Sequence, residues 1–179
     1  MSKTVGYDVG GAHLKVAVAE NGRVTAAIQI ACPLWQGLGV LDCALDAACA
    51  ITIGADLHAV TMTGELCELF ASRHDGVVTL TRHLAGRLGP DTRVFMGLKS
   101  FGDASAARAN TGSVASANFL ATAQLIAKHR SKALLIDMGS TTTDIIACDR
   151  PQGLTDAERL QTGELVYTGF TRTDRKSVV

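Results

Sequence analysis

Alternating apolar and polar positions mark the beginning of the chain as a series of strands. The alternation predicts three strands, at 4–9, 14–19 and 24–30. Gly10 and Gly11 supply a tight turn between the first two strands, because glycine accepts backbone angles that other residues avoid. Asn21-Gly22 is a strong two-residue hairpin signal between the second and third strands. The opening of the chain therefore predicts an antiparallel meander.

The middle of the chain changes to helical spacing interrupted by short apolar runs. Helices are predicted at about 37–53, from about Leu66, at about 77–88 and at 113–129, the last with Ser113 or Ser116 as its N-cap. Short strands are predicted at 59–62 and 93–96. Apolar residues make up 47% of the chain and aromatic residues 4%, so we expect a core built mostly from Ala, Val, Leu and Ile. Such a composition is ordinary for an α/β protein.

A second strand–turn–strand passage follows about 130 residues after the first. Residues 132–138 predict a buried strand, 139–142 a turn and 144–148 the returning strand. In both passages an Asp stands at the end of the first strand, just before a turn that contains glycine. These residues are Asp8 and Asp137. The repeated form suggests a duplicated architecture.

Both turns have the chemistry of an anion site. A hairpin loop rich in Gly, Ser and Thr can point several backbone N–H groups at one spot, and such a concavity binds phosphate. An Asp at the end of the strand can hold Mg²⁺, which typically takes one or two carboxylates together with phosphate oxygens. Two such hairpins facing each other would clamp a polyphosphate and its metal. Each loop taken alone could equally be a plain hairpin turn.

These arguments give three groups of candidate site residues. The candidate catalytic residues are Asp8, Lys15, Glu65 and Asp137. The candidate phosphate-binding residues are Gly10, Gly11, Ala12, His13, Gly139, Ser140, Thr141 and Thr142. The candidate metal ligands are Asp8, Asp137 and Asp144. Structural alternatives stay open for three of them: Glu65 as a carboxylate in the first turn of a helix, His13 as a structural residue of the loop and Asp144 as a cap of the turn.

Composition narrows the class of protein further. The 17 Lys and Arg residues balance the 17 Asp and Glu residues, and no basic patch indicates a nucleic-acid partner. No apolar run is long enough for a membrane span and no signal peptide is visible, so we expect a cytoplasmic protein. The five cysteines are odd in number and contain no CxxC pair, so we expect most of them to be small core residues in a reducing compartment. Trp35 is expected to pack at an edge of the first sheet.

At the two loops the chain resembles the superfamily of actin, Hsp70 and the sugar kinases. Asp8-Val9-Gly10 is similar to the first phosphate loop of that superfamily, and Asp137-Met138-Gly139-Ser140-Thr141-Thr142 is similar to the second. The resemblance implies an RNase H-like, actin-like ATPase (ASKHA) fold with mixed sheets flanked by helices. It implies an N-terminal lobe at 1–130 and the start of an incomplete second lobe at 131–173. The resemblance stops after Thr173, and we expect residues 174–179 to be a non-native tail.

The resemblance is closer to one group within that superfamily. Five segments resemble the hydantoinase/oxoprolinase-type proteins of the tetrahydromethanopterin-linked C1 transfer pathway: 6–15, 61–66, 117–123, 137–146 and 164–169. Archaeal members are similar to a synthase of methanofuran biosynthesis. The resemblance therefore implies an enzyme that condenses a furan-methyl diphosphate with an amine-bearing phenol and releases pyrophosphate.

Two other functions stay open at this point. One is an ATP-dependent hydantoinase- or oxoprolinase-like amidohydrolase, and the other is a non-catalytic, actin-like nucleotide-binding module. For the synthase and for the amidohydrolase we expect Mg²⁺ together with ATP or a diphosphate substrate. We expect a small phosphorylated molecule as the binding partner. A homodimer stays open as an assembly state.

Overall fold

The computed structural model describes residues 2–130, 132–138 and 142–168 of the chain. It divides the chain into two compact units, Met1–Asn118 and Phe119–Val179. This division falls before the last long helix, whereas the resemblance placed a lobe boundary after residue 130. The assignment of lobes, and of 174–179 as a non-native tail, stays a prediction.

The first unit contains a mixed six-stranded sheet in the order β3-β2-β1-β4-β5-β6. Its strands are β1 (Lys3–Val9), β2 (His13–Glu20), β3 (Arg23–Ala31), β4 (Leu57–Met62), β5 (Thr92–Phe95) and β6 (Phe101–Gly102). The strands β1, β2 and β3 pair in antiparallel fashion, which confirms the predicted meander. The strands β4 and β5 extend the sheet in parallel to β1, and β6 pairs antiparallel to β5. The predicted α/β fold with a mixed sheet is therefore confirmed.

Two long helices pack on this sheet through one apolar core. The helices of the first unit are α1 (Leu38–Thr52), α2 (Arg73–Leu88), α3 (Ala104–Ala109) and α4 (Thr111–Val114). Along β1, Val5, Tyr7 and Val9 are buried in this core, together with Leu41 of α1 and Leu80 of α2. Because side chains alternate along a strand, residues between the buried ones lie on the opposite face of the sheet.

The chain between β4 and α2 lies unusually close to its neighbours. A single 3₁₀ turn, Gly64–Leu66, follows β4. A Cβ atom on Gly64 would lie 2.8 Å from Leu34 Cδ2 and 3.1 Å from the carbonyl oxygen of Val9. A Cβ atom on Gly76, in α2, would lie 2.6 Å from the carbonyl oxygen of Glu65. These contacts leave no space for a side chain, so the two glycines allow the backbones to approach.

The second unit contains a three-stranded antiparallel sheet in the order β7-β8-β9. The strands are β7 (Leu134–Met138), β8 (Thr142–Ala147) and β9 (Leu165–Tyr167). The helix α5 (Asn118–His129) precedes them, and α6 (Asp156–Thr162) lies between β8 and β9. Thr155 and Glu158 form a capping box at the start of α6. The Glu164 carboxylate accepts hydrogen bonds from the backbone N–H groups of Gln152 and Gly153, which fixes the loop before that helix.

Two of the helix predictions are wrong. The helix expected from about Leu66 is only the short 3₁₀ turn, and the next helix begins at Arg73, where the Ser72 side chain caps it. The single helix expected at 113–129 is broken, because Ser116 has a φ of 51° between α4 and α5. Ser116 donates its backbone N–H to the buried Glu65 carboxylate. A long-range contact therefore overrides the local helical pattern.

The prediction that most of the cysteines are core residues holds for three of the five. Cys32 and Cys148 are buried, Cys67 is partly buried, and Cys43 and Cys49 are exposed. Both exposed thiols belong to α1, where Cys49 lines a pocket together with Tyr7 and Leu45. Among the described residues, no helix has both the length and the hydropathy required to cross a bilayer.

Two alanine substitutions in α2 test the close approach at Gly76. We expect Gly76→Ala to destabilise the fold by about 1–3 kcal/mol, because the new methyl group overlaps the Glu65 backbone. Gly86→Ala is the matched control, since a Cβ atom there meets nothing within 4 Å. We expect it to stabilise the helix by up to about 1 kcal/mol. Urea denaturation measures both, and equal effects of the two substitutions would contradict the proposed packing.

Candidate functional site

A row of polar side chains crosses three strands on the face opposite the apolar core. Asp8 of β1 is in register with Lys15 of β2 on one side and with Thr61 of β4 on the other. Residues in register on neighbouring strands project from the same face of the sheet. The Lys15 ammonium lies 3.1 Å from Asp8 Oδ2. The structure thus brings together two of the predicted catalytic residues and adds Thr61, which was not among the candidates.

Two buried oxygen atoms in this row have no partner. Asp8 Oδ1 and Thr61 Oγ1 are inaccessible to solvent and make no hydrogen bond within the described part of the chain. A buried polar atom left unsatisfied costs about 1–3 kcal/mol, so native structures usually fill such sites with a water, an ion or a ligand. A carboxylate oxygen beside a hydroxyl is a donor set of the kind that Mg²⁺ prefers. The residues present therefore fit a magnesium ion, bound directly or through water.

The loop that follows Asp8 is held by its carbonyl groups. Cys32 donates its backbone N–H to the carbonyl of Ala12 at 2.8 Å, and Leu34 donates to the carbonyl of Gly11 at 2.9 Å. The N–H of Gly10 donates to the carbonyl of His13 at 3.0 Å. The N–H groups of Gly11 and Ala12 take no part in the backbone hydrogen bonds of the described loops. These two donors remain available to an anion at the end of β1.

His13 contributes to the loop through its backbone. Its carbonyl closes the turn by accepting from Gly10, and a Cβ atom on Gly10 would lie 3.0 Å from that oxygen. The His13 side chain, at the start of β2, is exposed. Its role in phosphate binding stays a prediction.

The second candidate loop is described only in part. Gly139, Ser140 and Thr141 lie outside the described residues. Thr142 is the first residue of β8, and Asp137 is an exposed residue of β7. Asp137 is in register with Asp144, so the two carboxylates project from the same face of the second sheet. Phosphate and metal binding by this loop stays a prediction.

Asp144 already has a cationic partner. Its carboxylate forms an ion pair with the Arg159 guanidinium, and Arg159 is only 3% exposed. The guanidinium also lies 3.7 Å from the centre of the Phe119 ring and 3.4 Å from an Asp156 oxygen. Within 2–130, 132–138 and 142–168, His, Cys, Asp and Glu side chains form no group of three or more that could hold a metal ion. A magnesium ion with phosphate ligands needs only one or two carboxylates, so the ion pair of Asp144 does not exclude a metal site. Metal binding by Asp8, Asp137 or Asp144 stays a prediction.

Glu65 is the most deeply buried of the predicted catalytic residues, at 1% exposed. Its Oε1 atom accepts hydrogen bonds from the backbone N–H of Ser116 at 2.8 Å and from the Ser116 hydroxyl at 3.2 Å. Its Oε2 atom is buried without a hydrogen-bond partner among the described residues. Burial raises the pKa of this carboxyl, although the bonds from Ser116 act in the opposite direction. The structure therefore places Glu65 as a tether of the turn between α4 and α5, and its catalytic role stays a prediction.

The raised pKa of Glu65 predicts a loss of stability at higher pH. The proton is held more tightly in the folded state than in the unfolded state, where the pKa is near 4.5. The stabilising contribution is complete below that value and is lost as pH rises through the folded pKa. Glu65→Gln keeps an oxygen acceptor for Ser116 and carries no charge. We therefore expect the stability of Glu65→Gln relative to wild type to increase from pH 4.5 upward.

Thermal unfolding measured at a series of pH values tests this expectation. Glu68→Gln is the matched control, because Glu68 lies in the same segment and is exposed. A constant difference between Glu65→Gln and wild type across the series would show that Glu65 titrates like an exposed carboxyl.

Asp144→Asn tests the ion pair with Arg159. We expect it to destabilise the second unit by on the order of 3 kcal/mol, because it removes the nearer of two carboxylates that pair with a buried guanidinium and leaves the Asp156 oxygen at 3.4 Å. Asp149→Asn is the control, since among the described residues Asp149 pairs with the exposed Arg150 at 3.7 Å, and we expect a change of less than about 1 kcal/mol. Urea unfolding followed by circular dichroism measures both. If the two substitutions have similarly small effects on stability, the ion pair with Arg159 is weak and the Asp144 carboxylate would be free to bind a metal.

Comparison with known proteins gives both a family and a fold. The family model described as Hydantoinase/oxoprolinase matches residues 56–178. A curated relative from Methanocaldococcus jannaschii, named (4-{4-[2-(gamma-L-glutamylamino)ethyl]phenoxymethyl}furan-2-yl)methanamine synthase, is 31% identical over 173 residues. The match covers 94% of this chain and 51% of the relative, so the chain spans about half the length of the curated protein it matches.

A solved structure supports the fold independently. The ROK family glucokinase from Streptomyces griseus, in complex with glucose and AMPPNP, matches with a TM-score of 0.50 at 17% identity, covering 88% of this chain and 49% of the glucokinase. At that identity the likeness concerns the fold alone, and it confirms the predicted actin-like α/β architecture. Since the family model matches well over half of its residues, the chain belongs to the hydantoinase/oxoprolinase family.

Proposed function

We propose that this chain is part of a cytoplasmic transferase of C1-carrier cofactor biosynthesis. The reaction condenses a furan-methyl diphosphate with an amine-bearing phenol and releases pyrophosphate. The observation that carries the proposal is the row of Lys15, Asp8 and Thr61, with its two unsatisfied oxygens, beside a loop that has unused N–H donors. The product named for the curated relative contains a furan ring joined to a phenoxy group through one methylene, which is the product such a condensation gives.

The residues of the first unit would bind the diphosphate. The N–H groups of Gly11 and Ala12 donate to its oxygens, and the Lys15 ammonium, whose side chain is 60% exposed, adds a positive charge beside them. Asp8 Oδ1 and Thr61 Oγ1 would hold Mg²⁺, which neutralises negative charge on the departing diphosphate. The bond between the methylene carbon and the diphosphate oxygen breaks, the phenol oxygen bonds to that carbon, and the phenol proton is released.

A second candidate function follows from the family itself. Hydantoinase and oxoprolinase are amidohydrolases, and the glucokinase of similar fold was solved with the ATP analogue AMPPNP. The same loop donors, lysine and carboxylate would serve the phosphates of ATP equally well. An ATP-dependent amidohydrolase is therefore the alternative, and the nucleotide distinguishes the two.

Calorimetric titration with Mg²⁺–pyrophosphate and with Mg²⁺–ATP tests the proposal. We expect pyrophosphate to bind, and Asp8→Asn to weaken its binding about 10-fold or more, because a charged ligand of the metal is lost. Asp46→Asn is the matched control, since Asp46 is an exposed helix residue that pairs with Arg87. Asp137→Ala applies the same test to the second loop.

Three outcomes would change the assignment. ATP binding without pyrophosphate binding would favour the amidohydrolase. Equal weakening by Asp8→Asn and Asp46→Asn would remove the evidence for a metal at Asp8. Binding of neither ligand would contradict phosphate recognition by the first loop.

A further inference from the structure

The single tryptophan of the chain lies exposed beside the candidate phosphate loop. Trp35 is the middle residue of a 3₁₀ turn, Leu34–Gln36, that follows β3. Its side chain is 48% exposed, although tryptophan is highly buried on average. The expectation that it packs at a sheet edge does not account for this exposure. An exposed tryptophan next to polar binding groups is typical of a recognition surface.

Backbone hydrogen bonds fix the position of Trp35 relative to the loop. Leu34, its direct neighbour, donates its N–H to the carbonyl of Gly11, and Cys32 donates to the carbonyl of Ala12. Consecutive Cα atoms are about 3.8 Å apart, so the Trp35 backbone lies within one residue of this attachment. The turn that carries the indole and the loop that carries the free N–H donors are therefore one connected piece of backbone.

The residue before Trp35 packs into the core, whereas Trp35 itself is half-exposed. Leu34 is fully buried and its Cδ2 atom occupies the space directly over Gly64. Leu66 and Leu69, in the segment that follows Gly64, are themselves 50% and 38% exposed. The ring contacts between described residues are those of Tyr7 with His58, Phe95 with Phe101 and Arg159 with Phe119. Trp35 is in none of these, so its ring is available to an aromatic ligand.

We propose that Trp35 is the aromatic recognition residue of this site, and that it stacks on the ring of an aryl-methyl diphosphate whose phosphates bind at Gly11 and Ala12. This proposal rests on the proposed function, because it requires a diphosphate at the first loop. It assigns a residue to the aromatic ring of the substrate, which the phosphate-binding loop does not recognise. One methylene separates the ring from the first phosphate in such a substrate, so both groups must bind at adjacent positions. The attachment of Leu34 to Gly11 provides that adjacency.

Fluorescence of the 179-residue chain reports on this residue alone, because no other tryptophan is present. The probes are benzyl diphosphate and pyrophosphate, each with Mg²⁺. We expect benzyl diphosphate to quench or shift the emission and to bind at least about 2-fold more tightly than pyrophosphate, since aromatic stacking is worth about a 2- to 12-fold gain in affinity.

Substitutions separate stacking from a structural role. In calorimetric titrations we expect Trp35→Ala to lose about 2- to 12-fold in affinity for benzyl diphosphate and to keep its affinity for pyrophosphate. Trp35→Phe retains a ring and should recover most of the loss. Ile53→Ala is the matched control, because Ile53 is an apolar residue that is 70% exposed and follows α1, outside the candidate site.

The outcomes distinguish the two proposals. If wild type binds pyrophosphate but benzyl diphosphate no more tightly, the role of Trp35 is overturned and the phosphate site stands. If Trp35→Ala weakens both ligands equally, Trp35 supports the loop and does not recognise a ring, which also overturns the inference. If wild type binds neither ligand, the proposed function fails and the inference fails with it.

Discussion

The position of β1 between β2 and β4 is the constraint on which the candidate site depends. Its register buries Val5, Tyr7 and Val9 on one face and places Asp8 between Lys15 and Thr61 on the other. A shift of one residue would exchange the faces, exposing the apolar residues and burying Asp8 in the core. The hydrophobic effect that fixes the register therefore also fixes the position of the Asp8 carboxylate. One register therefore provides both the stability of the sheet and the geometry of the candidate site.

Close backbone approaches extend this arrangement beyond the sheet. Gly64 lets the 3₁₀ turn after β4 reach the first loop, and Gly76 lets α2 reach that turn. Glu65, between these two contacts, holds Ser116 through two hydrogen bonds. Interiors are densely packed, so such contacts transmit displacement. A change at α2 or at the turn before α5 is therefore expected to reach the loop through the 3₁₀ turn.

Local pattern predicted much of this structure, and long-range pairing explains what it missed. The alternation in 4–30 gave the meander, and the Asp–Gly turn gave Asp8 and its loop. Thr61 was missed because only the pairing of β4 with β1, across an intervening helix, places it beside Asp8. The break at Ser116 was missed because the helical pattern continues through it, whereas Glu65 lies far away in sequence.

The anion recognition proposed for the first loop would rely on main-chain donors. The carbonyls of Gly11 and Ala12 accept hydrogen bonds from the segment that follows β3, and the N–H groups of these two residues remain available. Main-chain donors are supplied by every residue except proline. On that proposal, the side chain at position 12 can vary during evolution without loss of the anion site, provided that the loop keeps its path. Trp35, whose role in recognition is likewise a proposal, could then change with the substrate while the loop is retained. A loop that binds phosphate in the proposed way would let substrate specificity change through neighbouring side chains while phosphate binding is retained.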